Sequence, residues 1–164
     1  MSKIKIFLWQ KLHNTLPMRG IWVRGMQVDP TCPLCRNDIE SNDNLFWECP
    51  SIKRVWGLAS QHKWLQLPEI SHGPRRLKQL ILRCKQSRNS DDIVKVVFLL
   101  WSIWKGRNAI IFQHEVFGPL WTLIRAKRSY AERRIWTCMP GDTSSRRSTH
   151  RRSTSNLIVT WNTP

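Results

Sequence analysis

The chain is 164 residues long, enough for one domain with a modest core and a tail, and it carries 27 basic against 11 acidic side chains, a formal net charge of +16. A charge of that size makes polyanions the natural partners. No apolar run approaches the roughly 20 residues that a bilayer requires, because residues 93–104 fall short and Lys95 interrupts them.

The first amphipathic pattern places Ile4, Leu8, Leu12 and Leu16 every fourth position, with Phe7 beside them, and predicts a helix closed by Pro17. Trp9 falls on that apolar side and is expected in the core. A second short helix is expected over residues 18–24, stopped by Gly25. Asp29-Pro30 and Cys32-Pro33 then force a turn-rich loop, since each residue before a proline is kept out of the helical region. Leu45-Phe46-Trp47 is too short to classify by period. Ser51 is the expected N-cap of a helix bearing Ile52, Val55, Trp56 and Ala59 on one face.

Gly73-Pro74 opens a further helix with Leu77, Leu80, Ile81 and Cys84 as its apolar stripe. Ser90-Asp91-Asp92 caps the strongest helix of the chain, whose stripe is read as Val97, Leu100, Trp101, Trp104 and Asn108. A last helix is expected over residues 115–137, burying Leu120, Leu123, Ile124 and Ala131. From Pro140 onward Ser, Thr and Arg dominate and apolar spacing fades, the composition of a disordered basic linker. The fold class is therefore mainly α, divided as residues 1–66 around a cysteine loop, a helical segment over 67–139 and a basic linker over 140–164.

Cys32-Pro33-Leu34-Cys35, followed by Cys49-Pro50, has the spacing of metal ligands. Two thiolates in a proline-turned loop can face one tetrahedral ion, and Cys49 can supply a third corner. The fourth corner lacks an obvious donor. A water, Glu40, or His13 folded back from the first helix are the candidates, and a thiol-lined loop packed without metal is the competing reading. Five cysteines without a secretory signal suit a reduced compartment better than a disulfide framework. The first 28 residues hold Lys and Arg but no acid, as a mitochondrial transit segment does. Their Trp, Ile and Leu positions fit a buried helix better, so the nucleus or cytoplasm is the expected location.

Taken in order, Lys3-Ile-Lys-Ile-Phe-Leu-Trp-Gln-Lys-Leu-His13, Leu16-Pro17, Cys32-Pro-Leu-Cys35, Glu40-Ser41 and Leu45-Phe-Trp-Glu-Cys-Pro50 make a specific series. It resembles the zinc-binding domain that follows the reverse transcriptase in plant LINE-type retrotransposon polyproteins. Trp101-Ser-Ile-Trp-Lys-Gly-Arg-Asn108 is similar to a helix that often follows there, and Trp161-Asn-Thr-Pro164 to the approach to an RNase H domain. The resemblance spans most of residues 1–112. It implies Zn²⁺ held by Cys32, Cys35 and Cys49, with Asn44 in the position of the family's histidine ligand. Met18 also departs from the family's usual Thr. An amide oxygen is a poorer zinc donor than imidazole or thiolate, so the resemblance implies a degenerate site. It also implies a piece of a longer polyprotein, either a degraded copy or a recruited gene.

Enzymatic signatures are missing. The one adjacent acidic pair, Asp91-Asp92, reads as helix-capping charge. There is no Tyr-x-Asp-Asp motif, RNase H carboxylate set, Walker loop, dinucleotide turn or nucleophile elbow, and no small-molecule substrate is expected. His62, His72, His114 and His150 read as surface or loop residues, and Cys84 and Cys138 as inert thiols. Ten tryptophans could stack on bases, yet Trp9, Trp56, Trp101 and Trp104 lie on apolar stripes and read as core. Trp22, Trp64 and Trp136 are expected to be partly exposed.

The basic excess is uneven. Residues 1–50 are nearly balanced, with 6 basic and 5 acidic side chains, whereas 51–88 carry 9 against 1 and 125–164 carry 9 against 2. Arg75, Arg76, Lys78, Arg146, Arg147, Arg151 and Arg152 are the candidates for phosphate contacts. The expected function is non-specific RNA or DNA binding by a zinc-binding-type module. The alternative is a helical protein-interaction module whose metal site has decayed.

Overall fold

A computed structural model describes residues 2–19, 29–66, 76–86 and 90–138. Five α-helices and one π-helical turn organise them, and their sole β-type pairing is the isolated antiparallel bridge between Thr31 and Ile39. The mainly helical fold class and the cysteine-rich loop are both present. Residues 20–24 of the predicted helix over 18–24, the Gly73-Pro74 start, Arg75 and the basic linker with Arg146, Arg147, Arg151 and Arg152 lie outside the described residues.

Helix α1, Ser2–Leu12, is built largely from straight-chain and other helix-tolerant residues. It ends earlier than the Pro17 signal suggests, because Asn14 takes a left-handed conformation with φ of 55°. Asn enters that region more readily than most residues and ends a helix there. The buried residues of the helix are Phe7 and Lys11, while Leu8 and Leu12 pack at its margins and Leu16 is buried beyond its end. Trp9 is not a core residue: it is 58% exposed and stacks on the His13 ring at 4.6 Å.

Asn44–Glu48 forms the π-helical turn, closed by Cys49 N–H donating to the Asn44 carbonyl at 2.9 Å. Asn44, Leu45, Phe46 and Trp47 are all buried. A segment covered on every side has no polar face, which is why periodicity could not classify it. Helix α2, Pro50–Gln61, follows directly, and its fixed-φ Pro50 is well placed in a first turn. Cys49, rather than Ser51, is the N-cap residue, and the Ser51 hydroxyl donates instead to the Leu34 carbonyl at 3.3 Å. Ile52, Val55 and Ala59 are buried as expected. Trp56 is only partly buried, stacked on Trp47 at 4.9 Å with its indole N–H donating to Phe46 O at 2.8 Å.

Helix α3, Arg76–Gln86, buries Leu77 and Leu80 against the long helix α4, Ser90–Gln113. Helix α4 also packs on α1, on the π-helical turn and on α5, Pro119–Cys138. Its buried residues are Val96, Phe98, Leu99, Leu100, Ser102, Ile103, Trp104 and Arg107. The stripe is therefore rotated from the expected one: Val97, Trp101 and Asn108 are only partly covered. Several neighbours enclose α4, so its burial is broader than the single stripe of a surface helix.

Helix α5 starts at Pro119, later than expected, and buries Thr122, Leu123, Ala126 and Tyr130. Leu120 and Ile124 are exposed, contrary to the expected stripe, and Ala131 is exposed too. The small Thr122 and Ala126 let α5 approach its neighbours, and that contact fixes the helix rotation against simple hydropathy. Tyr130 hydroxyl donates to Asp91 at the start of α4, tying the two helices, and Lys95 pairs with Asp91 and Asp92 at 3.1 Å. Aromatic packing joins the chain's first helix to its fourth: the Phe7 ring lies 6.0 Å from Phe46, 5.2 Å from Trp101 and 6.2 Å from Trp104.

Lys11 is an unexpected member of this core. Its ammonium lies 4.6 Å from the Phe46 ring centre, and burial lowers its pKa to about 8, partly offset by the charge of Asp43. Lys11 binds its proton less tightly in the folded chain than in the unfolded one. Folding stability should therefore rise between pH 8 and pH 10.5, where the unfolded state holds more protons. Comparing wild type with Lys11→Met in urea at several pH values cancels other titrations. Wild type should gain stability relative to Lys11→Met across that window, and a constant difference would refute the assignment.

Candidate metal centre

The loop before Cys32 reverses through short local bonds. Asp29 accepts from both Thr31 N–H, at 2.9 Å, and the Thr31 hydroxyl. Those two bonds, and Arg19 more weakly, hold its carboxyl below the usual range, against a small opposing effect of burial. Cys32 N–H donates to Asp38 O at 2.8 Å, Arg36 N–H to Cys32 O at 2.9 Å, and Glu40 N–H to Pro30 O at 2.9 Å. Arg36 turns the chain with φ of 57°. This small hairpin carries Cys32 and Cys35, and the junction of the π-helical turn with α2 carries Cys49.

The three cysteine sulfurs lie within 4.8 Å of one another. A tetrahedral site with Zn–S bonds of about 2.3 Å places its sulfurs ~3.8 Å apart, so little closure is needed. Cys32 and Cys49 are buried and Cys35 is partly buried, and all three are free of disulfide. Each buried sulfur has backbone donors. The N–H groups of Leu34 and Cys35 face Cys32, and those of Ser51 and Ile52, in the first turn of α2, face Cys49. Such donors stabilise thiolate, the form that binds metal.

The two buried thiols also face each other. Cys32 donates to Cys49, and this hydrogen bond together with burial pushes Cys32 far above the ordinary thiol range. Accepting that bond is the main cause that lowers Cys49, helped by the Ile52 and Ser51 N–H groups and opposed by burial. Metal binds thiolate, so an arriving cation would displace thiol protons and binding should release them.

The fourth corner is not supplied by the acid or the histidine considered from sequence. Glu40 is occupied: its two carboxylate oxygens each accept from Arg107 at 2.7 Å, through Nε and Nη2, and Oε2 also accepts the Arg19 N–H at 2.6 Å. His13 is exposed, with Nδ1 2.8 Å from the Trp9 carbonyl. Among the described residues no His, Asp or Glu joins the three-thiol group. Asn44 is 4% exposed, and its carbonyl accepts the Cys49 N–H at 2.9 Å.

The sequence does not reveal the Arg107–Glu40 pair, although each residue belongs to a motif of its own. Arg107 is 1% exposed, adds bonds to Pro17 O at 3.3 Å and Asn108 Oδ1 at 2.9 Å, and its guanidinium lies 5.0 Å from the Trp104 ring centre. It fastens the hairpin of the thiol loop to α4 across 67 positions of chain. No local signal predicts a pairing at that separation.

Of the candidate phosphate contacts, Lys78 is exposed on α3 and Arg76 opens that helix. The remaining five, Arg75, Arg146, Arg147, Arg151 and Arg152, lie outside the described residues. None of the described helices is long and apolar enough to cross a membrane.

Residues 1–56 match the family described as zinc-binding in reverse transcriptase. The match covers all three cysteines and Glu40, while Arg107 falls beyond it. No curated protein and no solved structure matches the chain. A zinc-binding family and three converging thiols agree on Zn²⁺ as the cofactor that this segment can hold. The matched family is a zinc-binding one and not the polymerase itself.

Proposed function

We propose that this chain is a retroelement-derived zinc-binding module of the LINE type that holds RNA or DNA non-specifically through basic surfaces. The observation that carries the first half is the convergence of Cys32, Cys35 and Cys49 within a segment that matches the reverse-transcriptase zinc-binding family. Zinc would close the hairpin onto the start of α2 and would supply rigidity rather than chemistry. Support for the second half comes from charge. Lys53, Arg54, Lys63, Lys78, Arg83 and Lys105 are exposed on or beside α2, α3 and α4, and the chain's excess of +16 lies almost wholly after the thiol loop. In a polyprotein such a module would keep template or target close to the polymerase.

Binding of this kind is electrostatic and salt-sensitive. Each phosphate contact on a single strand contributes about −0.7 to the slope of log K against log salt, so five contacts give roughly −3.5. Replacing Arg75, Arg76 and Lys78 with Ala should flatten the slope by roughly two units, with little change in preference among sequences. Deleting residues 141–164 should weaken binding and leave the unfolding transition in place. Titration of a labelled single-stranded RNA at several salt concentrations reads both. An affinity that ignores salt, or that survives both changes, overturns the reading.

One observation favours a second reading, a helical protein-interaction module. Leu120, Trp121 and Ile124 lie on one side of α5 and are exposed, Trp121 by 70%, with Phe112 and Val116 exposed just before them. Undetectable RNA binding at low salt would favour this alternative.

A further inference from the structure

We propose that the Asn44 side-chain oxygen is the fourth zinc ligand, so that the centre is three thiolates and one amide oxygen. This rests on the zinc-binding reading above. Asn44 is buried, and its Oδ1 has no hydrogen-bond partner. An orphaned buried acceptor is costly, and a cation is one partner that removes that cost. The orientation of the amide is set from its other end: Nδ2 faces the Asp38 carboxylate at 3.5 Å. Exchanging the two ends would set oxygen against carboxylate, so Oδ1 is the end left over.

The position of Asn44 follows from the same bonds that position the thiols. Its carbonyl receives Cys49 N–H at 2.9 Å, and Asp38, which faces its amide, also receives Cys32 N–H on its own carbonyl at 2.8 Å. Ser41 Oγ accepts the Asn44 N–H at 3.0 Å and fixes the start of the turn. Asn44 is thus tied to the chain on both sides of the centre. Its competitors for the corner, Glu40 and His13, are held elsewhere. Asn44 is then a working ligand of modest strength. An amide oxygen binds Zn²⁺ less well than imidazole does, and that sets the affinity of the site.

The test uses the full chain loaded with Co²⁺ and Zn²⁺ alone. Wild type should show the thiolate-to-cobalt charge-transfer band and tetrahedral d–d bands, and Zn²⁺ X-ray absorption should give three sulfurs with one oxygen at about 2.0–2.2 Å. Asn44→Ala should weaken Zn²⁺ at least tenfold and move the d–d bands, and Asn44→His should tighten it at least tenfold. Two measurements on wild type need no variant. Adding a small thiol to the cobalt form should leave the spectrum unchanged because the corner is filled, and Zn²⁺ should shift the Asn44 side-chain amide resonances in nitrogen NMR. A spectrum altered by the thiol, with amide resonances that ignore zinc, places water at the corner and overturns the proposal while zinc binding stands. Absence of any charge-transfer band in wild type sinks the zinc-binding reading itself.

Discussion

Replacing Arg107 with Met should destabilise the chain by about 3–5 kcal/mol, the cost of leaving a buried carboxylate without its partner. Glu40 would keep only the Arg19 N–H, at 2.6 Å, from the donors that now surround it. Glu40→Met should cost a similar amount, because the guanidinium would then be stranded among Pro17, Asn108 and Trp104. The double variant should recover much of the loss, since well-packed apolar residues often replace a buried ion pair at little cost. Urea unfolding of the four proteins gives the coupling energy directly. A coupling below ~0.5 kcal/mol would show that the pair is not the fastening that its burial implies. The single variants should also loosen zinc, because the pair holds the hairpin bearing Cys32 and Cys35 against α4.

Trp104→Ala should cost about 3–5 kcal/mol, enough to unfold a marginal domain. Trp104 is 8% exposed, lies 6.2 Å from Phe7 and covers the Arg107 guanidinium. Its removal opens a cavity and uncovers the ion pair at once. Trp101→Ala should cost less. Its ring meets Phe7 edge-on at 5.2 Å, but its other side borders an open groove with Lys105, Phe112 and Arg125. Iodide should therefore quench Trp101 more readily than Trp104, which single-Trp variants would resolve. Equal quenching of both, or a Trp104 effect below 1 kcal/mol, would contradict the packing.

By itself the sequence determined that the chain is helical, where its strongest helix begins, and which three sulfurs can meet. These are local properties. Helix-forming composition, the acidic start at Asp91 and Asp92 and the Cys-x-x-Cys spacing act over one or two turns, and the described structure contains each of them. Of the family resemblance, the reverse-transcriptase zinc-binding part is matched, over residues 1–56.

Only the tertiary structure decided which face of each helix is buried. Helix α5 buries Thr122 and Ala126 and exposes Leu120 and Ile124, because close approach to its neighbours outweighs a few apolar side chains left in water. Trp9 is outside and Lys11 inside for a related reason: Asn14 ends α1 early, and the rotation that brings Phe7 to Trp101 and Trp104 carries Lys11 over Phe46. The fate of Glu40 was likewise hidden. A carboxylate near three cysteines reads as a ligand until an arginine 67 positions away claims both of its oxygens. Ion pairs across such separations leave no periodic or spacing signal, because partner choice is settled by how the helices pack and not by the chain between them.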